Sequence, residues 1–205
     1  MSVRLSVLFV AMLVSTTASG AILFDSGVTS LLATDPTQLG RLTRDGVISD
    51  WSAPKAYPGE INTTTSYHYQ TFTIPILFLP YLQITMDSTA ATTFAAAYLN
   101  SYNPANKATN YLGDPGSSGN FFGVDPQTFQ VFVNPGSSVV VLVNETATGG
   151  VGQPFRILVE GFSDTEFNET VAPEPGSFIL GGSGLGLALL SVLRRGRRTQ
   201  NSNNN

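Results

Sequence analysis

Few side chains in this sequence are suited to acid–base or nucleophilic chemistry. The chain has a single histidine, His68, and no cysteine. A Ser-His-Asp triad would have to be built around that histidine, and neither a Gly-x-Ser-x-Gly nor a His-Glu-x-x-His motif accompanies it. The lack of cysteine excludes disulfides, thiolate nucleophiles and cysteine-ligated zinc. We therefore interpret His68 as a partly buried or surface histidine on a strand, and we predict that the protein is not an enzyme.

The carboxylates are the next candidates. Two of them about 5–10 Å apart in a cleft would suit a glycoside hydrolase, which stays an alternative. Four of the eight aspartates, however, precede proline or glycine, where Asp typically bonds its own backbone in a turn. Asp114 and Asp125 could also offer loop oxygens to calcium, although no EF-hand spacing is present. We predict no cofactor and keep calcium, held by these two residues, as an alternative.

The charge of the central region limits the choice of partner. Residues 21–170 contain five basic and thirteen acidic side chains, a net charge of −8. Nucleic acid binding requires a basic patch, so we expect no nucleic acid partner.

The sequence segments that must position these residues have the hydrophobic pattern typical of β-strands. Residues 82–87 alternate apolar and polar side chains, and residues 129–133 and 139–143 are rich in β-branched types. The sequence Asn-Pro-Gly-Ser at 134–137 suits a type II turn, so we predict that these last two strands form a hairpin. Further strands are predicted at 21–24, 46–48, 67–74, 93–99 and 155–159, with loops at 52–62, 102–119 and 145–154. The fold class is thus all-β, an antiparallel β-sandwich or jelly roll.

The N-terminus has the layout of a secretory signal peptide. Arg4 precedes an apolar stretch, residues 5–14, and small residues follow up to Ala21. We assign residues 1–20 to the signal peptide and residues 21–170 to the ectodomain.

The C-terminus combines three features in a fixed order. Pro173, Glu174 and Pro175 form a stiff, non-helical segment, because each proline restricts its own backbone dihedral angles and those of the residue before it. Residues 177–193 carry no charge and would form a helix of about 25 Å, close to the ~30 Å of a bilayer core. Four arginines then act as a stop-transfer signal that stays cytoplasmic: Arg194, Arg195, Arg197 and Arg198. A disordered polar tail is expected at 199–205.

This order, over residues 171–198, resembles the PEP-CTERM sorting signal of Gram-negative bacteria. The resemblance implies that an exosortase, a membrane-embedded cysteine protease, recognises Pro173, Glu174 and Pro175. It implies a transient inner-membrane precursor with its C-terminus in the cytoplasm, removal of the tail, and delivery to the cell surface or extracellular matrix. The alternative is a plain single-span anchor that is never cleaved.

The ectodomain shows a second, weaker resemblance. It rests on five segments, residues 35–46, 98–106, 110–116, 129–137 and 140–145. Together they are similar to bacterial pre-peptidase C-terminal β-sandwich modules, although this chain lacks the cysteine pair often found there. The resemblance implies a non-catalytic accessory role. A secreted carbohydrate-binding module, with or without assistance from calcium, is the main alternative, with an extracellular polysaccharide as ligand. Its stacking surface would come from the following aromatic residues, which more often complete a core: Trp51, Tyr67, Tyr69, Tyr98, Tyr102 and Tyr111.

Overall fold

The computed structural model describes residues 20–121, 123–147 and 149–171. These residues form ten strands and one helix: β1 (Ala21–Asp25), β2 (Thr29–Ser30), β3 (Thr37–Leu42), β4 (Glu60–Pro75), β5 (Tyr81–Ser88), β6 (Thr93–Leu99), β7 (Tyr111–Gly113), β8 (Gln127–Phe132), β9 (Ser138–Glu145), β10 (Pro154–Phe162) and α1 (Asp164–Val171). The chain divides into two compact units, Met1–Glu169 and Thr170–Asn205, and all ten strands belong to the first.

The strands form two sheets. The first sheet has the order β1-β10-β5-β8, with β2 also paired to β10, and the second has the order β3-β4-β9-β6-β7. Each pairing between these strands is antiparallel. One buried core joins side chains of both sheets, such as Ile84 and Ile157 from the first and Ala95 and Val141 from the second. The predicted antiparallel β-sandwich is confirmed.

The central strands β6 and β9 of the second sheet are buried on both faces. Alternate residues of β9 point in opposite directions, so Val141 joins the core between the sheets while Val140 and Leu142 join a second one. We call this second core the outer cluster; its buried members are Leu42, Phe94, Ala96, Tyr98, Val140 and Leu142, with Tyr57, Tyr69, Tyr102 and Tyr111 packed against them. Side chains from the loops before β4 and after β6 thus cover the outer face of the second sheet, where no third layer of secondary structure packs among the described residues.

The predicted hairpin at residues 134–137 is wrong, although its turn forms. Ser137 N–H donates to Asn134 O over 3.2 Å, and Gly136 has the positive φ of 89° that suits the third position of a type II turn. The flanking strands nevertheless separate, because β8 pairs with β5 in the first sheet and β9 pairs with β4 and β6 in the second. The five consecutive apolar residues at 139–143 fit a central strand buried on both faces.

Other strand predictions are confirmed with changed boundaries. The predicted strands at 21–24, 67–74, 82–87, 93–99 and 155–159 correspond to β1, β4, β5, β6 and β10. Residues 46–48 are not a strand, β4 begins inside the predicted loop 52–62, and β7 interrupts the predicted loop 102–119. Strand β3 was not predicted, because a bulge at Gly40, with φ of 71°, breaks its apolar alternation.

Helix α1 was also not predicted, although its start has a sequence signature. Glu166 N–H donates to Ser163 Oγ over 3.3 Å, and Ser163 N–H donates to Glu166 Oε2 over 2.7 Å. This reciprocal pair is a capping box, with Ser163 as N-cap and Glu166 three residues later. It begins the helix directly after β10.

A candidate ligand cleft beside Trp51

Trp51 lies on a loop that runs along the edge strand of the first sheet. Gln130 N–H in β8 donates to Ser49 O over 2.9 Å, which attaches the loop to the strand. Asp50 then closes a tight turn by accepting the N–H of Ser52 over 2.8 Å. The loop thus covers an otherwise open sheet edge and places the indole over it.

The Trp51 ring is held on several sides. Its Nε1 donates to Leu82 O over 3.1 Å, and its ring meets Tyr81, Phe162 and Phe167 edge-on, with centroid distances of 5.9, 5.2 and 5.7 Å. Tyr81 in turn stacks on Phe167 at 4.2 Å. A ring fixed in this way loses little conformational entropy when a ligand packs against it.

Beside this ring is a cleft of about 280 Å³. It is lined by residues from the loop, from β7 and from β8: Asp50, Trp51, Ser52, Ala53, Pro54, Leu112, Gln130, Val131 and Phe132. Phe132 is 45% exposed, and Gln130 Nε2 donates to Gln83 Oε1 over 3.1 Å. Aromatic surface with a few polar groups at its border is the composition of a small-molecule binding cleft.

Asp50 supplies the negative charge at this cleft. The Ser52 hydroxyl and the Ser52 N–H both donate to its carboxylate, and these bonds lower the pKa of Asp50 below its ordinary value. The carboxylate is therefore ionised at neutral pH and acts as a hydrogen-bond acceptor. The cleft combines an acceptor, an amide and two ring surfaces, which suits binding of a polyhydroxylated ligand.

His68 lies midway along β4, next to Tyr69, where the pairing of β4 with β9 begins. Its Nδ1 is 2.8 Å from Glu145 Oε2, which also accepts the His68 N–H over 2.8 Å. The other oxygen, Oε1, accepts the Val151 N–H over 3.1 Å. The buried Glu145 thereby joins β4 to the 146–153 loop. Its contacts agree with the interpretation of His68 as a partly buried strand histidine.

Asp114 lies in a buried ion pair. Its Oδ1 accepts Lys55 Nζ over 2.6 Å and the Gly116 N–H over 2.6 Å, and Oδ2 accepts the Tyr111 hydroxyl. Burial raises the pKa of Asp114, and the bonds from Lys55 and Tyr111 offset part of that rise. Lys55 also donates to Asp45 over 2.9 Å. These bonds connect the β3–β4 loop to β7 and the segment after it, and they engage both oxygens of the first calcium candidate.

Asp125, the second calcium candidate, lies near a carboxylate that the sequence did not single out. Its Oδ1 accepts the Ser88 N–H over 3.0 Å. The adjacent Asp87 has its pKa raised by burial and then by the charge of Asp125 and a hydrogen bond to it. Among residues 20–171, with the gaps at 122 and 148, no three carboxylate or imidazole groups converge as a cation site. Calcium binding stays an alternative.

The tyrosines proposed as a stacking surface complete a core instead. Tyr67 and Tyr98 are buried, and Tyr69, Tyr102 and Tyr111 pack against the outer cluster. Of the aromatic residues in that prediction, Trp51 alone lines the cleft. Its partners Phe132, Gln130 and Asp50 had no distinguishing sequence signal, because tertiary contacts bring the loop and β8 together.

The sorting motif and the signal peptide lie outside the described residues. This holds for Pro173, Glu174 and Pro175, for the predicted span 177–193, for the arginine cluster, and for residues 1–19 and 199–205. In the part of the chain that the structure describes, no helix has both the length and the apolar character needed to span a membrane.

Comparison with known proteins identifies no family for this chain. No protein-family model matches the sequence, and no curated protein matches it. Among solved structures, the chain is similar to "CBM35 from Cellvibrio japonicus Abf62", with 13% sequence identity and a TM-score of 0.30. The match covers 67% of this chain and 95% of that chain. At this TM-score the similarity supports no conclusion about function.

Proposed function

We propose that this chain is an exported, non-catalytic β-sandwich protein of the cell surface or extracellular matrix, sorted through its C-terminal tail. The observation that carries the proposal is the order of Pro173-Glu174-Pro175, the uncharged run 177–193 and the four arginines, which resembles a PEP-CTERM signal. The predicted N-terminal signal peptide implies the same topology as the tail, in which the domain lies outside the cytoplasm. An exosortase-like protease is the partner that would cut the tail.

The polar contacts within the domain support the non-catalytic part of the proposal. The imidazole of His68 is bonded to Glu145, and the buried carboxylate of Asp114 is bonded to Lys55 and Tyr111. These groups connect strands and loops to one another. A general base or nucleophile needs a lone pair or proton directed at a substrate, so this arrangement favours a structural role for them.

The test is to express the full chain in hosts with and without an exosortase, and to follow its mass and location with an antibody against the domain. We expect tail loss and release from the inner membrane only in the host with the enzyme. The double variant Pro173→Ala, Pro175→Ala should abolish both, and Pro54→Ala, in an exposed loop, should change neither. A chain that stays full length in the inner membrane of both hosts would contradict the sorting proposal.

A second candidate function, carbohydrate binding, is favoured by the cleft beside Trp51. We expect the protein to be retained on an insoluble polysaccharide, and we expect Phe132→Ala and Asp50→Asn to reduce retention severalfold. Both side chains are at the surface, so neither change should unfold the domain. Leu39→Ala, an exposed apolar position on the other sheet, is the matched control. Retention that is unchanged in both cleft variants would exclude this site, and retention that persists in EDTA would exclude calcium assistance.

A further inference from the structure

The turn between β4 and β5 exposes two large apolar side chains. Leu77 is 64% exposed and Phe78 is 83% exposed, the highest value among the large hydrophobic residues that the structure describes. We call Leu77 and Phe78 the apolar tip. Isolated exposed hydrophobic residues are ordinary, but two adjacent ones at the end of a turn mark a candidate contact surface.

Backbone hydrogen bonds hold the chain in place immediately before and after the apolar tip. Ile76 N–H donates to Ser137 O and Ile76 O accepts the Gly136 N–H, both over 2.8 Å. On the other side, Pro80 O accepts the Val133 N–H over 2.9 Å. Ile76 and Pro80 are buried, so the fold holds the two exposed side chains outward.

The surroundings of the tip in the sequence are uncharged. No Asp, Glu, Lys or Arg occurs anywhere from Ile61 to Met86. Burial of the stretch between Ile61 and Met86 in an apolar medium would therefore require no Asp, Glu, Lys or Arg side chain within it to leave water. The domain as a whole is acidic, so electrostatic attraction would not bring it to an anionic lipid surface. A contact with lipid would depend on the apolar side chains.

The tip lies where the chain leaves the sandwich. Tyr81, just after the tip, pairs with Phe162 at the end of β10. A methyl group placed on Gly161 would lie 2.8 Å from Leu79 Cβ, so the two segments are in close contact. After Phe162 the chain forms α1, about 12 Å long at ~1.5 Å per residue, and the uncharged run begins at residue 177. The tip and the start of α1 thus lie at the same end of the sandwich, and the predicted membrane span begins 15 residues after Phe162 in the sequence.

We propose that, before the tail is cut, the apolar tip inserts into the headgroup region of the membrane that the tail spans. The inference rests on the proposed sorting function. The occupant is the lipid surface itself, in which the Phe78 ring and the Leu77 side chain would leave water without a charge accompanying them. The tail tethers the domain and raises the effective concentration of the tip at the bilayer. Once the tail is removed, two side chains are too small an anchor, and the domain is released.

The chain contains no cysteine, so a single introduced cysteine can be labelled with a fluorophore at one defined position. The full chain is reconstituted into liposomes that contain a lipid-attached quencher, with an environment-sensitive dye on Phe78→Cys. Val28→Cys is the matched control: Val28 is 79% exposed and apolar, and it adjoins Thr29, which pairs with Phe155 at the far end of β10. That end is about 23 Å from Phe162 at ~3.3 Å per residue.

We expect emission from position 78 to shift to the blue and to be quenched at least twofold by the lipid label, with neither change at position 28. Equal, water-like emission from both positions would overturn the inference, as would equal quenching at both. A blue shift at position 78 without lipid quenching would place the tip against protein, such as a second copy, and would overturn it too. A chain that does not float with the liposomes contradicts the sorting proposal and this inference together. Flotation without quenching at position 78 contradicts the inference alone.

Discussion

Two tyrosine hydroxyls beside the outer cluster differ in their partners. The Tyr98 hydroxyl is buried without a hydrogen-bond partner among the described residues, whereas the Tyr111 hydroxyl donates to Asp114. We expect Tyr98→Phe to leave the free energy of unfolding unchanged or raise it by about 1 kcal/mol, because an unsatisfied polar group is removed. Tyr111→Phe should lower it by about 1–2 kcal/mol. Urea denaturation measures both, and the opposite order would contradict the assigned bonding.

A surface ion pair should make stability depend on pH in the acid range. Arg156 donates to both oxygens of Asp25, and this bonding lowers the pKa of Asp25 to about 2. A lowered carboxyl pKa stabilises the fold above the ordinary value near 3.8, and that contribution disappears as the pH falls through about 2. We expect Asp25→Asn to lower the melting temperature slightly at pH 6, and we expect the difference from the wild type to shrink towards zero at and below pH 2. A difference of the same size at pH 6 and at pH 2 would show that ionisation of Asp25 is not its cause.

At the scale of elements, the local patterns predicted the type of most strands but not their pairing. The alternation at 82–87 predicts β5 because one side of it faces the core. The Pro135-Gly136 turn, by contrast, specifies a change of direction and leaves the choice of sheet to tertiary contacts. The cleft beside Trp51 was beyond sequence reasoning for the same reason, since Asp50 and Gln130 meet only after β8 is covered by the loop.

Helix α1 offers a test of the capping box. Ser163→Ala removes the acceptor for the Glu166 N–H, and such a loss typically costs about 1 kcal/mol of helix stability. We expect faster amide hydrogen exchange in residues 164–171 and little change in the strands. Thr165→Ala, at an exposed position inside the helix, is the control. If both variants exchange alike, the capping box does not hold the helix.

At the scale of the whole molecule, burial extends to side chains that normally stay at the surface. Lys107 Nζ donates to Glu60 over 2.8 Å and to Leu39 O over 2.7 Å, and Lys55 is similarly enclosed by Asp45 and Asp114. The Lys107 contacts attach the loop after β6 to β3 and β4, and the Lys55 pairs attach the β3–β4 loop to the segment after β7. The loops and the sandwich should therefore lose their structure together when the domain unfolds.

Limited proteolysis with trypsin tests this view, because the enzyme cuts after lysine and arginine only where the backbone can adopt an extended, accessible form. The side chains of Lys55 and Lys107 are buried, and Arg156, although its side chain is exposed, lies on β10 between β1 and β5. We expect a fragment that spans at least residues 45–169 to survive native digestion, as measured by mass spectrometry. In urea above the unfolding midpoint all three sites should be cut at similar rates. Native cleavage after Lys55 or Lys107 would mean that the covering loops open independently, and that the outer cluster is not part of one cooperative domain.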